Sequence, residues 1–235
     1  MATYLTLCQD AVTDAGISDT AISSVLAQQG LAKKMVGWVA RAWVDIQVSA
    51  DWRFMAAKKP HVLTLASNYS KATLGFADIR KLDRGARRCL ITRGSATKPL
   101  NVIEREEWDA RFAGILIPAG FPDWVMLDGD VLRYTPAPSV AGDVVSLGHY
   151  KTPQILVANT DIPAGIADDL HDAIKWRAVY KYAKHDVSES IKRDAREEYS
   201  RLISRMRAVY LPRMTWDAMP LDSKRYADAD FSRLK

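Results

Sequence analysis

The stretch Gly30–Phe54, GLAKKMVGWVARAWVDIQVSADWRF, decides how the rest of the chain is read. Leu31, Met35, Trp38, Val39, Ala42 and Ile46 recur at steps of three and four, which is one face of an amphipathic helix. Lys33, Lys34, Arg41 and Asp45 fall between them, yet Val36, Ala40, Trp43 and Val44 make the other flank apolar as well. A helix wetted along one whole side would not carry Trp43 and Val44 away from its main stripe. The pattern therefore predicts a helix over Gly30–Val48 with neighbours on two sides, inside its own fold or against other subunits. Val36, Trp43 and Val44 are the residues expected at such a subunit interface. Asp51-Trp52-Arg53-Phe54 then places two aromatics at the helix end.

Upstream, Thr3 is a suitable N-cap for a short helix closed by Gly16, and residues 16–30 read as a loop or weak turn. Downstream of Lys58-Lys59-Pro60 the texture changes to short β-branched runs separated by Gly, Pro, Asn, Asp and Ser. Strands are expected at His61–Leu65, Asp78–Leu82, Cys89–Thr92, Leu100–Ile103, Trp124–Leu127, Val131–Tyr134 and Val144–Tyr150. The sharpest hairpin signal is Asp128-Gly129-Asp130 between two of these runs. Glu104–Phe112, with Trp108, reads as a single helical excursion. From Pro163 the period turns helical again, over Ile166–Lys184 and 186–207, with a break near Lys184–Val187 that predicts a helical hairpin. Pro212 must end the second helix. The expected class is α+β, with 1–59 and 151–211 as a helical bundle, 60–150 as an inserted antiparallel β-rich domain, and 212–235 as an extended tail. In that tail Trp216, Met219, Tyr226 and Phe231 are spaced among polar residues without a helical or strand period, as in a segment that docks into another surface.

Composition narrows the function. The 235 residues contain 48% hydrophobic and 26% charged side chains, ordinary for a globular protein, and no apolar run reaches membrane-spanning length. The N-terminus lacks the order of a signal peptide. Cys8 and Cys89 have no metal-ligand or disulfide spacing and read as two buried thiols. The net charge of +5 is unevenly placed: residues 51–100 hold eleven Lys/Arg against three Asp/Glu, and residues 101–150 hold three against eight. Neighbouring segments of opposite sign suit complementary surfaces, including those of the protein's own copies.

Catalytic signatures are missing. There is no phosphate loop, dinucleotide fingerprint or nucleophile elbow. His61, His149, His171 and His185 have no ligand spacing, and His171 and His185 are expected on adjacent helices. The pairs Asp168-Asp169, Glu106-Glu107 and Glu197-Glu198 fit helix-start and surface roles. An enzyme is not expected, and no cofactor or metal is implied. The basic run Arg80–Lys98, with Arg84, Arg87 and Arg88 at its centre, offers contact with DNA phosphates or with an acidic tail protein.

These parts together resemble the head-to-tail adaptor (connector) proteins of tailed bacteriophages, especially short-tailed ones. The likeness runs from the helix ending in Trp52-Arg53-Phe54, through Glu107-Trp108, Gly120-Phe121-Pro122 and Leu132-Arg133-Tyr134-Thr135-Pro136-Ala137-Pro138. It continues through Tyr150-Lys151-Thr152-Pro153 and Asp161-Ile162-Pro163 to the closing helical hairpin, and so covers nearly the whole chain. The resemblance implies a structural virion protein, made in the host cytoplasm, that forms a twelve-subunit ring under the portal protein. It implies that the ring, formed after DNA packaging, extends the channel through which double-stranded DNA is ejected and gives tail or nozzle proteins a platform. It also implies that Pro212–Lys235 grips the portal through Trp216, Met219, Tyr226 and Phe231. The alternatives are a tail-terminator or tail-tube protein, and a DNA-binding protein acting through Arg80–Lys98.

Overall fold

A computed structural model describes residues 2–17, 21–71, 74–75, 78–85, 88–186 and 188–211, with only the backbone at Asp186. The class is α+β, and the chain separates into two compact units: residues 1–56 with 151–211, and residues 57–150.

The first unit is helical. Helix α1 (Tyr4–Asp14) starts at a reciprocal capping box, in which the Thr3 and Thr6 side chains each accept the other's backbone N–H. Two further N–H groups of its first turn, which no helical carbonyl can reach, donate to Asp161 O (2.7 Å) and Asn159 O (3.2 Å). Gly16 follows the helix at φ +67°, the left-handed region that glycine enters freely. Helix α2 (Gly30–Val48) has the predicted bounds, and Met35, Val39, Ala42, Trp43 and Ile46 are fully enclosed. Helix α3 (Arg105–Phe112) belongs to the second unit. Helices α4 (Asp172–Asp186) and α5 (Glu189–Tyr210) form the hairpin, and α4 packs on α1, α2 and α5. Its central position follows from its small residues: Ala173, Ala178 and Ala183 are fully buried and let the neighbouring helices approach closely. The expected single helix from Ile166 is instead a 3-10 turn (Asp168–Leu170) before α4. His171 and His185 accordingly lie at the two ends of one helix rather than on adjacent ones.

An extended segment, 151–167, binds this unit together through Gln154. Its backbone N–H donates to Gln47 Oε1 (2.8 Å), its carbonyl accepts Gln47 Nε2 (2.9 Å), and its side-chain oxygen accepts Trp43 Nε1 (3.0 Å) and Ala164 N (2.9 Å). Its side-chain amide donates to Ile162 O (2.9 Å). At the helix end, Phe54 stacks between Trp43 (6.0 Å, 12°) and Trp52 (5.9 Å, 16°) and meets Tyr210 edge-on (5.3 Å). Gly165, at φ +85°, closes over that cluster, where a Cβ would lie 2.8 Å from Phe54 Cβ.

The second unit holds nine strands among the described residues, in two sheets. One contains β1 (Ala56–Val62), β9 (Val144–Lys151), β4 (Leu90–Arg93) and β5 (Ala96–Pro99) in that order, with β3 (Ile79–Leu82) also paired to β9. The other has the order β2 (Asn68–Ser70), β8 (Val131–Thr135), β7 (Trp124–Asp128), β6 (Asn101–Val102). The expected strand at His61–Leu65 is displaced: β1 begins five residues earlier and includes Pro60, which an edge strand tolerates because one of its sides needs no N–H. Strands β2 (NYS) and β5 (ATKP) were not expected, since neither carries an apolar alternation. The sheets are also not wholly antiparallel. Helix α3 (Arg105–Phe112) lies between β6 and β7, and that crossover returns the chain parallel, with Asn101 opposite Trp124. The β7–β8 hairpin has the predicted turn: Asp128 pairs with Val131, and Gly129 takes φ +55°.

One core serves both sheets, with Ile79, Ile91, Val145 and Leu147 from the first and Tyr69, Val125, Leu132 and Tyr134 from the second. His61 is buried at its edge, Nε2 to Tyr134 Oη at 2.8 Å, with the Tyr69 ring 6.2 Å away. Burial pushes the imidazole down to about 4 from 6.5.

Substitution at Gln154 and His61 tests these contacts. Gln154→Ala strands the buried indole N–H of Trp43 and removes the partner of Ala164 N and Ile162 O, while the backbone bonds to Gln47 remain. It should cost the helical unit about 3 kcal/mol in urea unfolding followed by helical circular dichroism. A loss under about 1 kcal/mol would contradict the assigned role. His61 is neutral when folded and protonates more readily when unfolded, so its contribution is complete above pH 6.5. That contribution is lost as pH falls from 6.5 through about 4, by up to about 3 kcal/mol. His61→Gln should flatten this pH dependence, measured as the urea midpoint at pH 7 and pH 4.5. An unchanged slope would refute the assignment.

Candidate interaction surfaces

The outward side of α2 is where the sequence and the packing disagree most about water. Opposite the buried stripe lie Lys33, Gly37, Ala40, Val44 and Val48, one per turn or closer. Val48 is 48% exposed, Val44 and Ala40 are half-buried, and a Cβ on Gly37 would meet nothing within 4 Å. Beyond Gln154, the extended segment continues this apolar character: Leu156 turns inward while Ile155 (68% exposed) and Val157 (62%) face out. Of the three α2 residues expected at a subunit contact, Val36 and Val44 retain surface. Trp43 has none, since its ring is stacked on Phe54 and its N–H is bound to Gln154. Gln47 and Gln154 gave no signal in the sequence; a buried glutamine on an apolar helix face was the available clue.

In the second unit the prominent feature is the loop after α3. Leu116 is 97% exposed and Ile115 60%. Both ends of this loop are fixed. On the α3 side, Phe112 packs against Trp108 (5.2 Å) and Trp124 (6.1 Å), and the Arg111 guanidinium lies over Trp124 (4.8 Å). On the other, Phe121 sits between two cations, Arg93 (4.4 Å) and Lys98 (4.1 Å). Arg93 in turn makes a bidentate bond to the buried Asp143 (2.8 and 2.7 Å), and Lys98 bonds Asp123 and Phe121 O. Arg93 is thereby held charged, its pKa raised mainly by the Asp143 hydrogen bond.

The basic run is partly neutralised within this unit. Arg84 pairs with Glu104 at 2.6 Å, so the basic and acidic segments meet there, and Arg88 pairs at 3.6 Å with Asp83 within the basic segment. Arg87 lies outside the described residues, as do Trp216, Met219, Tyr226 and Phe231. The paired carboxylates have structural partners: Asp169 bonds Arg205 (2.6 Å), Glu107 Arg111 (2.7 Å) and Glu198 Arg201 (2.5 Å).

Chemically reactive groups are enclosed. Cys8 and Cys89 are buried thiols pushed up to about 12 and about 11 by desolvation, so neither is a thiolate at neutral pH. His149 and His171 are buried, and burial lowers the pKa of His171. Only His185 is exposed. Among the described residues no group of His, Cys, Asp and Glu is placed to hold a metal ion, and no helix is long and apolar enough to cross a membrane.

Among the described residues the geometry offers an apolar helix face, an outward apolar segment, and an exposed apolar loop anchored at both ends. No curated protein matches the chain. The family model described as SU10 adaptor protein matches residues 2–223, which spans both units. The chain belongs to the SU10 adaptor protein family and is a phage adaptor protein.

Proposed function

We propose that this protein is the structural head-to-tail adaptor of a tailed bacteriophage, assembled as a ring, with twelve subunits as the expected number, beneath the portal protein. The observation that carries this reading is the outward face of α2, where Gly37, Ala40, Val44 and Val48 leave apolar surface on a helix whose other side is already packed. Such a face is satisfied when a neighbouring copy covers it, and a contact between two different patches closes into a ring when the rotation allows. In that ring the subunits extend the channel for double-stranded DNA, and the β-rich unit, with its exposed Ile115-Leu116 loop, offers tail or nozzle proteins a docking surface. Pro212–Lys235 is the portal-gripping segment, with Trp216, Met219, Tyr226 and Phe231 as anchors. Nothing in this role requires catalysis, a cofactor or a metal.

Val44→Asp with Val48→Lys should leave the thermal midpoint within a few degrees, because neither side chain is fully buried, yet abolish ring formation on portal particles seen by electron microscopy. Rings of normal occupancy with the double variant would contradict the assignment of that face. Deleting residues 212–235 should weaken binding to the matching portal at least tenfold in a pull-down titration, and unchanged affinity would remove the gripping role.

A further inference from the structure

The end of the helical unit where α2 begins and the α4–α5 hairpin turns carries a cluster of cations that the packing does not explain. Lys33 and Lys34 lie in the first turn of α2, Lys184 and His185 in the last turn of α4, and Lys192, Arg193 and Arg196 in the first turns of α5. The first two sets are brought together directly. Lys34 Nζ lies 3.2 Å from His185 Nε2, and the His185 ring rests against Trp38 at 5.6 Å. The third set borders a groove of about 510 Å³ lined by Tyr180, Glu189, Ser190, Lys192, Arg193 and Arg196. Tyr180 is one turn before Lys184 on α4, so the groove adjoins that lysine.

Along α4 and α5 several lysines and arginines are matched to acids. Lys181 and Arg177 share Asp45, Lys175 takes Asp14 and Asp172, and Arg205 takes Asp169. At this end Lys192 has Glu189 and Arg193 has Asp194, but Lys33, Lys184 and Arg196 form no ion pair among the described residues. All three are exposed. Glu189 and Asp194 each answer one cation, the remaining like charges repel one another, and the arrangement is relieved when an anion arrives from outside.

We propose that this basic end of the helical unit contacts the phosphate backbone of duplex DNA without reading its sequence. The inference rests on the adaptor reading, in which DNA passes the protein, and assigns the contact to unit-one lysines rather than to Arg84 and Arg88, which already hold Glu104 and Asp83. The cations belong to three helices packed side by side. At about 8–10 Å between packed helices, the band is roughly 20 Å wide and meets several phosphates at once. Exposed lysines with flexible stems suit this kind of contact, because they follow a passing backbone without fixing its register.

The test uses the full-length chain and a random-sequence duplex of roughly 25 base pairs, with anisotropy titrations between 50 and 200 mM salt. The Lys33→Glu, Lys34→Glu, Lys184→Glu triple variant should bind at least tenfold more weakly at 50 mM salt. Its slope of log affinity against log salt should be shallower by roughly 2 to 3, about 0.9 for each phosphate no longer neutralised. The Arg84→Ala, Arg88→Ala variant should bind within twofold of the parent. Unchanged circular dichroism melting of the triple variant establishes that the fold is intact, and Lys→Gln at the same positions should give a smaller loss of the same sign. Absence of duplex binding by the parent, or equal binding by the triple variant, overturns the proposal. Stronger binding to polyglutamate than to DNA also overturns it, in favour of an acidic protein partner. Portal binding by the parent, measured on the same preparations, separates this outcome from failure of the adaptor reading itself.

Discussion

The helical unit depends on one residue pair, Gln47 and Gln154, whose backbone and side-chain groups bind each other across the surface of α2. A glutamine in the core is costly unless all of its polar atoms are met, and here they are. Once Gln154 is fixed, Trp43 has its partner, Ala164 is drawn back, and Asn159 and Asp161 stand where α1 needs carbonyls. The N-terminal helix and the segment that leaves the β-rich unit are thus fastened to the same helix by directional bonds. Apolar packing alone would place these segments less exactly, because it is not directional.

Such a rigid platform favours assembly. With the inner face of α2 closed and its outer face left apolar, the stable surface offered to a neighbour is a preformed helix side, and little ordering is needed on contact. In the β-rich unit, the Arg93–Asp143 bond and the cations around Phe121 anchor one end of the loop on which Leu116 is exposed. Both features leave apolar side chains in water, where cover by a partner would be favourable.

Much of this was legible in the residues. The helix Gly30–Val48, the Thr3 cap, the Asp128–Val131 hairpin and the break before α5 each follow from a local rule, and each formed. The α+β class follows from their order along the chain, and the adaptor family was signalled by the resemblance that runs from Trp52-Arg53-Phe54 to Asp161-Ile162-Pro163. What escaped was non-local. Strands β2 and β5 exist because β8 and β4 present edges to them, and the parallel β6–β7 pair exists because α3 intervenes. The second flank of α2 was read as covered by its own fold or by another subunit, with Trp43 expected at the subunit contact, but Trp43 turns inward to a glutamine more than a hundred positions away, a pairing that no window of sequence reveals.

The central claim is that the outer face of α2 is covered by another copy of this chain in the virion. Electron cryomicroscopy of the head–tail junction measures this directly. The account predicts a closed ring in which Val44 and Val48 lose their exposure to a neighbouring subunit. A single copy at the junction, or a ring in which both valines still face solvent, would contradict it.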